Sequence, residues 1–316
     1  MKIETPIRCQ MIAKEYHSDP CPTASLSSSI LDKLINQSPK HAWAVHPRFN
    51  PNHYGKATAT ALEKGSAAHA MILEGRDSVQ VIDSENWRTK DAREQRDQAH
   101  QHGRFPLLKK DYEDIKNMHD VCFEQLDATM DCGGVFRGGV AEESWFWKSD
   151  DAWLRCRPDW YDPQGDHIIY DYKTTSGSAH PDVWGKKLYD HGNDIRAAFY
   201  AEGAKELLGW HDCIYRFVVQ ETKPPYALSV IQLDPAALNL AQRRFKKGLS
   251  IWKQCLAADK WPGFPAQIAH VDAPAWMEME WENREAQDDF NRRDGQSEIE
   301  AMIDWQSPLN QGGKNE

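Results

Sequence analysis

Hydrophobic residues recur at helical spacing in several long segments of the chain. Ser25-Leu-Ser-Ser-Ser precedes ILDKLINQ, so a serine is expected to cap a short amphipathic helix that stops before Pro39. Asp234 is expected to cap the last long helix, with proline at its first position. The pattern predicts the longer helices over Ala57–Leu73, Lys109–Met130, Pro181–Tyr189, Asp194–Leu208 and Pro235–Ala258, whereas residues 77–104 give only a weak helical signal.

The hydrophobic pattern changes to strand spacing in the middle of the chain. Short aromatic or β-branched runs, separated by turn segments, predict five strands: Ala141–Trp147, Trp153–Trp160, His167–Lys173, Ile214–Gln220 and Ala227–Leu233. We expect the first three to be antiparallel. This order of elements predicts an α/β fold in which helices flank a central mixed β-sheet. Core packing explains the strand tryptophans better than base stacking does; they are Trp145, Trp147, Trp153 and Trp160.

Charge divides the chain into a nearly neutral body and an acidic tail. Residues 266–316 contain 12 Asp+Glu against 4 Lys+Arg, whereas residues 1–265 contain 36 against 34. We therefore expect one domain over residues 1–265, with a helical part over 1–135 and a core over 136–265, followed by an acidic extension over 266–316. The formal net charge of −10 disfavours nonspecific coating of nucleic acid, which needs an excess of Lys and Arg on one face.

Composition and missing motifs exclude several other classes. The seven cysteines are widely spaced and never form a CxxC pair, which indicates reduced thiols and argues against zinc ribbons and four-thiolate iron–sulfur clusters. The sequence lacks the motifs of P-loop NTPases, Rossmann dehydrogenases and GxSxG hydrolases. It contains no run of roughly 18 apolar residues, and the start MKIETPIRCQ has no apolar signal segment. We expect a cytoplasmic protein that does not enter a membrane.

The strongest chemical signal comes from Asp159, Asp171 and Lys173. Positions i and i+2 of a strand share a face, so Asp171 and Lys173 are expected to project together while Tyr172 points the other way. If the preceding strand pairs with this one, Asp159 can lie beside Asp171. Two carboxylates at ~4 Å repel by about 4 kcal/mol at an effective dielectric of about 20, so such a pair requires a cation. Oxygen ligands suit Mg²⁺ or Mn²⁺, which together with Lys173 point to phosphodiester hydrolysis. An isolated Asp-x-Lys is, however, most often a surface ion pair.

The surroundings of these residues resemble a known family. RPDW at Arg157–Trp160 and DYKTT at Asp171–Thr175 resemble the signature of the PD-(D/E)xK nucleases, in the form found in the RecE (exonuclease VIII)-like branch and the related RecB-type nuclease domains. GSAAH, which ends at His69, resembles the GxxxH helix motif of that branch. AEESWFW resembles its first core strand, and DIRAAFY at Asp194–Tyr200 resembles its QxxxY helix. With the amino-terminal SLSSSILDKLINQSPKHAW, the resemblance covers about residues 16–265.

The resemblance implies a restriction-endonuclease-like core and a role for each matching residue. Metal binding would fall to His69, Glu142, Asp159, Asp171 and Tyr172, with Glu143 as the competitor of Glu142 on the opposite strand face. The catalytic residues would be Glu142, Asp159, Asp171 and Lys173. Phosphate binding would fall to Arg157, Thr174, Arg196 and Tyr200. Arg196 replaces the family glutamine, and an arginine can hold a phosphate through two nitrogens but cannot accept a hydrogen bond.

The function implied by the resemblance is a Mg²⁺-dependent exodeoxyribonuclease, with Mn²⁺ as a substitute ion. Such an enzyme degrades double-stranded DNA from 5′ ends and leaves 3′ single-stranded tails for prophage-type recombination by strand annealing. The implied partners are duplex DNA ends, a RecT-like single-strand annealing protein and further copies of the chain in a ring. Two alternatives stay open: an endonuclease or single-strand nuclease on the same fold, and a catalytically relict DNA-binding or interaction module, which Arg196 makes conceivable.

Overall fold

The computed structural model of the chain describes residues 2–51 and 60–293. The backbone forms two compact units, Met1–Phe264 and Pro265–Glu316. The helices are α1 Ala13–His17, α2 Ser28–Asn36, α3 Pro39–Val45, α4 Thr60–Leu73, α5 Lys90–Gln101, α6 Lys109–Ala128, α7 Pro181–Asp190, α8 Asn193–Leu208, α9 Pro235–Ala258 and α10 Ala275–Arg293. The strands are β1 Ile7–Cys9, β2 Val79–Ile82, β3 Phe105–Leu108, β4 Val140–Ala141, β5 Ser144–Ser149, β6 Ala152–Cys156, β7 Trp160–Tyr161, β8 Ile168–Thr175, β9 Ile214–Glu221 and β10 Leu228–Gln232.

Two helices begin at the capping residues that the sequence indicated. The Ser27 hydroxyl caps α2 by accepting a hydrogen bond from the Ile30 N–H at 3.4 Å. Asp234 Oδ1 caps α9 by accepting from the Ala237 N–H at 2.7 Å. Each cap satisfies an N–H group that the first helical turn leaves without a backbone partner. The predicted long helices are confirmed within a few residues, except that the predicted start at 57–59 lies outside the described residues.

The central sheet has five strands in the order β10-β9-β8-β7-β4. β8 and β9 are parallel, and the other neighbours are antiparallel, so the sheet is mixed and the predicted fold class is confirmed. A second, antiparallel sheet has the order β1-β5-β6. β8 therefore lies in the middle of the central sheet with a hydrogen-bonded strand on each side.

The predicted arrangement of the first strands is wrong in one respect. Ala141–Trp147 and Trp153–Trp160 are each split between the two sheets, since β4 and β7 join the central sheet while β5 and β6 join the other. Glu142 breaks the first segment because its φ of 54° lies in the left-handed region. Pro158 lies in the second break, and proline has no N–H to donate to a neighbouring strand. Glu142 and Asp159 thus lie where the chain passes from one sheet to the other.

The segment of weak helical signal, residues 77–104, begins a β–α–β unit. β2 pairs in parallel with β3, and α5 connects them. The sequence pattern misses this unit because the strands are short and because α5 buries only Ala92 and Ala99. The pattern also misses β1, α1 and α3, which are equally short.

Aromatic strand residues form the core, as the sequence indicated. All four strand tryptophans are buried: Trp145, Trp147, Trp153 and Trp160. Helix α8 packs closely on two of them, since a Cβ added at Gly203 would meet the Trp147 ring at 3.0 Å and the Trp145 ring at 3.4 Å. This close contact fixes α8 against the sheets.

The second unit contains α10, whose exposed side chains include Trp276 and Trp281. Within residues 2–51 and 60–293, no helix combines the length and the apolar character needed to cross a membrane.

Candidate metal centre

β8 carries the two residues that the sequence placed on one strand face. The Asp171 side chain is fully buried at 0% exposure, and the Lys173 ammonium forms an ion pair with its Oδ2 atom. Lys173 is partly exposed because it lines a cleft. The parallel pairing with β9, which puts Phe217 opposite Asp171 and Val219 opposite Lys173, holds both residues in a fixed register.

Tyr172 contributes only its main chain to this site, so the metal-binding role that the resemblance assigned to it stays a prediction, for its carbonyl oxygen and not for its side chain. Its side chain is buried on the opposite face of β8, where the hydroxyl donates a hydrogen bond to Gln220 Oε1 at 2.6 Å. Its carbonyl accepts a hydrogen bond from Lys173 Nζ at 3.5 Å. The reason is the strand alternation, which turns Tyr172 away from its two neighbours.

Asp159 reaches the same face from the loop before β7. Its Oδ2 atom accepts a hydrogen bond from the Tyr172 N–H at 2.8 Å. Lys173 Nζ lies 3.7 Å from the same oxygen and also contacts Asp171. The lysine ammonium therefore lies between the two carboxylates.

Glu142 and His69 extend this cluster from two other elements. The Glu142 N–H donates to the Asp159 carbonyl at 3.1 Å, which ties the left-handed turn to the loop before β7. His69 Nδ1 lies 3.5 Å from Glu142 Oε1, and His69 Nε2 lies 3.1 Å from Asp159 Oδ2. One turn earlier on α4, a Cβ at Gly65 would meet Thr174 Oγ1 at 3.3 Å. This small residue lets α4 approach β8 and brings His69 to the acidic side chains.

Glu143, the competitor of Glu142, belongs to a different network. Its Oε2 atom accepts a hydrogen bond from Trp145 Nε1 at 2.7 Å and another from the Tyr161 hydroxyl. Arg8 Nη1 lies 3.5 Å from the same oxygen. Of the two adjacent glutamates, Glu142 is the one that faces the cluster.

The donor atoms of this cluster fit a divalent ion. His69, Glu142 and Asp159 each offer one ligand atom, and these atoms lie within 4.8 Å of one another. One nitrogen and two carboxylate oxygens suit Mg²⁺ or Mn²⁺. Asp171 Oδ2 is a further buried oxygen of the cluster, and the Lys173 ammonium is the cation in contact with it. A buried carboxylate needs such a neighbouring cation.

The charged groups of the cluster shift one another's pKa values. Burial and the neighbouring charge of Asp159 raise the pKa of Glu142 to about 7. Burial alone would lower the pKa of His69, but Asp159 and Glu142 raise it above its usual value. Burial alone would raise the pKa of Asp159, but Lys173 and His69 hold it well below its usual range. The surroundings thus favour proton binding at His69 and Glu142, and an ion bound to the same atoms would compete with those protons.

Two arginines lie on the outer sides of the acidic cluster. Arg157 Nε lies 2.6 Å from Glu142 Oε2 and donates a hydrogen bond to the Glu142 carbonyl at 2.9 Å. Arg196 Nη1 lies 3.5 Å from Asp171 Oδ1. The resemblance assigned both arginines to phosphate binding, but each already contacts a carboxylate of the cluster. Each guanidinium is therefore already paired with a carboxylate of the cluster before any phosphate binds.

The other two residues assigned to phosphate binding lie in different surroundings. Tyr200 is buried, and its hydroxyl donates a hydrogen bond to the Arg157 carbonyl at 3.4 Å. Its ring centre lies 5.9 Å from the Arg196 guanidinium carbon. Tyr200 thus contacts both arginines, and its expected contact with phosphate stays a prediction. Thr174 does line the cleft, beside Lys173.

An open cleft of about 530 Å³ leads to the cluster. Several expected residues line it: His69, Glu142, Arg157, Tyr172, Lys173 and Thr174. Its walls also contain Ala13 and His17 of α1 and Phe105 of β3, which sequence analysis did not single out. These two elements are short and were not predicted, so no signal in the sequence pointed to their cleft-lining residues.

Comparisons with known proteins support the same fold. The sequence matches the model of a family described as a PDDEXK-like domain of unknown function (DUF3799) over residues 27–273, a range that contains every residue of the cluster. No curated protein sequence matches it. The structure is similar to the crystal structure of a protein from Eubacterium rectale named as a putative exonuclease, with 12% sequence identity and a TM-score of 0.51. That likeness covers 85% of this chain and 98% of the other, and at this identity it shows the fold alone.

Proposed function

Because the chain belongs to the family of PDDEXK-like domains of unknown function (DUF3799), we propose that it is a nuclease that depends on a divalent metal ion. One observation carries the proposal: separate elements bring His69, Glu142 and Asp159 together at a cleft, with Lys173 beside Asp159. A metal-ligand set next to a lysine ammonium is suited to phosphodiester hydrolysis.

His69, Glu142 and Asp159 would hold the ion, and Asp171 would add a buried carboxylate oxygen. A bound Mg²⁺ or Mn²⁺ supplies Lewis acidity and lowers the pKa of water. The Lys173 ammonium donates hydrogen bonds at the cleft, where it can orient an attacking water or offset charge on the scissile phosphate. Arg157 holds the Glu142 carboxylate, as Arg196 holds that of Asp171.

The finer proposal is an exodeoxyribonuclease that degrades duplex DNA from 5′ ends and leaves 3′ single-stranded tails. The resemblance of GSAAH, RPDW and DYKTT to the RecE-like branch supports it. The similar protein from Eubacterium rectale, named as a putative exonuclease, supports exonuclease action as well. The cluster by itself is suited to phosphodiester hydrolysis. It does not determine from which end the DNA is degraded, or whether the substrate is double-stranded or single-stranded.

The test compares four DNA substrates with Mg²⁺, Mn²⁺ or EDTA. They are linear duplex labelled at the 5′ ends, linear duplex labelled at the 3′ ends, covalently closed circular duplex and circular single strands. We expect release of the 5′ label from linear duplex with either ion, none with EDTA, and intact circles. The Asp159→Asn variant, purified in parallel, controls for a contaminating nuclease.

Other outcomes identify the alternatives. Cutting of closed circular duplex would establish an endonuclease, and cutting of circular single strands would establish a single-strand nuclease. Full-length DNA under every condition, with DNA still bound, would favour a relict binding module, a role that Arg196 makes conceivable. The annealing partner and the ring-shaped assembly are proposals that rest on the family resemblance, and light scattering of the full chain tests the second of them.

A further inference from the structure

We propose that the site takes a single divalent ion, because the Arg196 guanidinium occupies the side of Asp171 on which a second ion would bind. This inference rests on the proposed nuclease function and adds the number of ions and the role of Arg196. Arg196 is then a positioning residue that acts through Asp171, and direct contact with a phosphate is not its first role.

The two oxygens of Asp171 face different groups. Oδ2 is in contact with Lys173, whose ammonium also lies 3.7 Å from Asp159 Oδ2, so this oxygen faces the ligand set. Oδ1 lies 3.5 Å from Arg196 Nη1. An ion that used Oδ1 would have to displace the guanidinium.

Arg196 carries a permanent positive charge, and neighbouring residues hold its side chain in place. A guanidinium stays protonated in proteins, so its charge persists at any pH at which the fold survives. Its guanidinium carbon lies 5.9 Å from the ring centre of Tyr200, whose hydroxyl is held by the Arg157 carbonyl. The helix that carries both residues packs tightly against the sheets at Gly203. Arg196 therefore keeps its place beside Asp171.

The opposite side of the cluster has the same arrangement. Arg157 Nε lies 2.6 Å from Glu142 Oε2, so the outer oxygen of this glutamate is also next to a fixed cation. The inner atoms remain for an ion, namely those that His69 approaches: Glu142 Oε1 and Asp159 Oδ2. Within the part of the chain that the structure describes, these atoms form one ligand group, and no second group of metal-ligating side chains adjoins it.

The experiment counts ions at the site through the electron paramagnetic resonance of Mn²⁺ added to the full chain. Two Mn²⁺ ions sharing Asp171 would be a few ångströms apart and would show a spin-coupled spectrum, whereas ions scattered on the acidic surface would not. We expect an uncoupled spectrum at saturation for the wild type. Arg196→Gln removes the charge and supplies an amide oxygen, so we expect a second bound ion and a coupled spectrum. Arg196→Lys keeps a cation and should stay uncoupled.

The matched control is Arg137→Gln, which removes an exposed arginine from its partner Asp127 and should leave the Mn²⁺ spectrum unchanged. A coupled spectrum in the wild type would overturn the inference while leaving the nuclease proposal intact, and this measurement does not depend on how any variant folds. An uncoupled spectrum in folded Arg196→Gln would overturn it too. Failure of the wild type to bind Mn²⁺ in the cluster would overturn both proposals.

Discussion

The Asp159 carboxylate accepts a hydrogen bond from the backbone N–H of Tyr172, with an oxygen–nitrogen distance of 2.8 Å. This bond joins the loop before β7 to the residue of β8 that lies between Asp171 and Lys173. The spacing of the two carboxylates and the ammonium is therefore set by the main chain of the central sheet.

This bond predicts different results for two substitutions of Asp159. Asparagine keeps an oxygen that can accept from the Tyr172 N–H but has no charge, so Asp159→Asn should stay folded and lose Mn²⁺ binding. Asp159→Ala also leaves that N–H without its partner, which costs about 1–3 kcal/mol of unfolding free energy relative to Asp159→Asn. Urea unfolding of both variants checks this, and equal stabilities would show that the bond contributes nothing.

Lys173→Ala should lower DNA hydrolysis while leaving the metal site occupied. Lys173 contacts the carboxylates of Asp159 and Asp171 but is not itself a ligand, so Mn²⁺ affinity should change little. The lost hydrogen-bond donor should reduce the single-turnover rate by about 10²-fold or more. The control is Lys148→Ala, a change at an exposed lysine that lies over the Trp153 ring at 5.0 Å. Equal single-turnover rates for Lys173→Ala and the wild type would show that Lys173 takes no part in the reaction.

Much of this cluster could be predicted from the sequence, because the local periodicity of a helix or strand determines which side chains share a face. Strand alternation put Asp171 and Lys173 together and turned Tyr172 away, as the structure has them. The GSAAH spacing put His69 one helical turn after Gly65, the residue at which α4 approaches β8. These features depend only on neighbours a few positions apart.

Features that depend on tertiary contacts were not predictable from the pattern. Glu142 faces the cluster because the chain turns through a left-handed residue there, and glutamate is not a residue that favours this conformation. Tyr200 faces the Arg157 carbonyl because α8 packs with that side towards the sheets. His17 reaches the cleft from a helix of five residues, too short for a periodic signal.

The neighbouring glutamates give a matched pair of substitutions. Glu142→Gln removes a charged oxygen from the ligand group, so Mn²⁺ affinity should fall by at least about 10-fold, since changes outside the ligand set already cost that much in metal sites. Glu143→Gln alters the hydrogen bonds from Trp145 and Tyr161 and the ion pair with Arg8. It should keep Mn²⁺ affinity and lose about 1 kcal/mol of unfolding free energy. Calorimetric titration with Mn²⁺ checks both, and the reverse order of affinities would assign the site to Glu143.

A buried histidine outside the metal-ligand group predicts a loss of stability in acid. His46 has 0% exposed surface; its Nε2 lies 3.0 Å from the Ser25 carbonyl, and its Nδ1 accepts a hydrogen bond from the Arg48 N–H. Burial lowers the pKa of His46 to about 4; the Arg155 charge acts in the same direction, while the Ser25 carbonyl and Asp19 oppose it. The ring is thus neutral in the folded protein at pH values where an unfolded histidine, with a pKa of about 6.5, already binds a proton.

The sign of the effect follows from proton binding, because the unfolded chain takes up the proton first as the pH falls. Unfolding free energy should therefore drop between about pH 6.5 and pH 4, by about 3 kcal/mol in all from this residue, and this contribution should stay constant below pH 4. His46→Gln keeps a donor for the Ser25 carbonyl but cannot titrate, so its unfolding free energy should fall less steeply over the same range. His102→Gln, a change at an exposed histidine, is the control and should follow the wild type. Urea unfolding at a series of pH values gives these slopes, and parallel curves for His46→Gln and the wild type would refute the assignment.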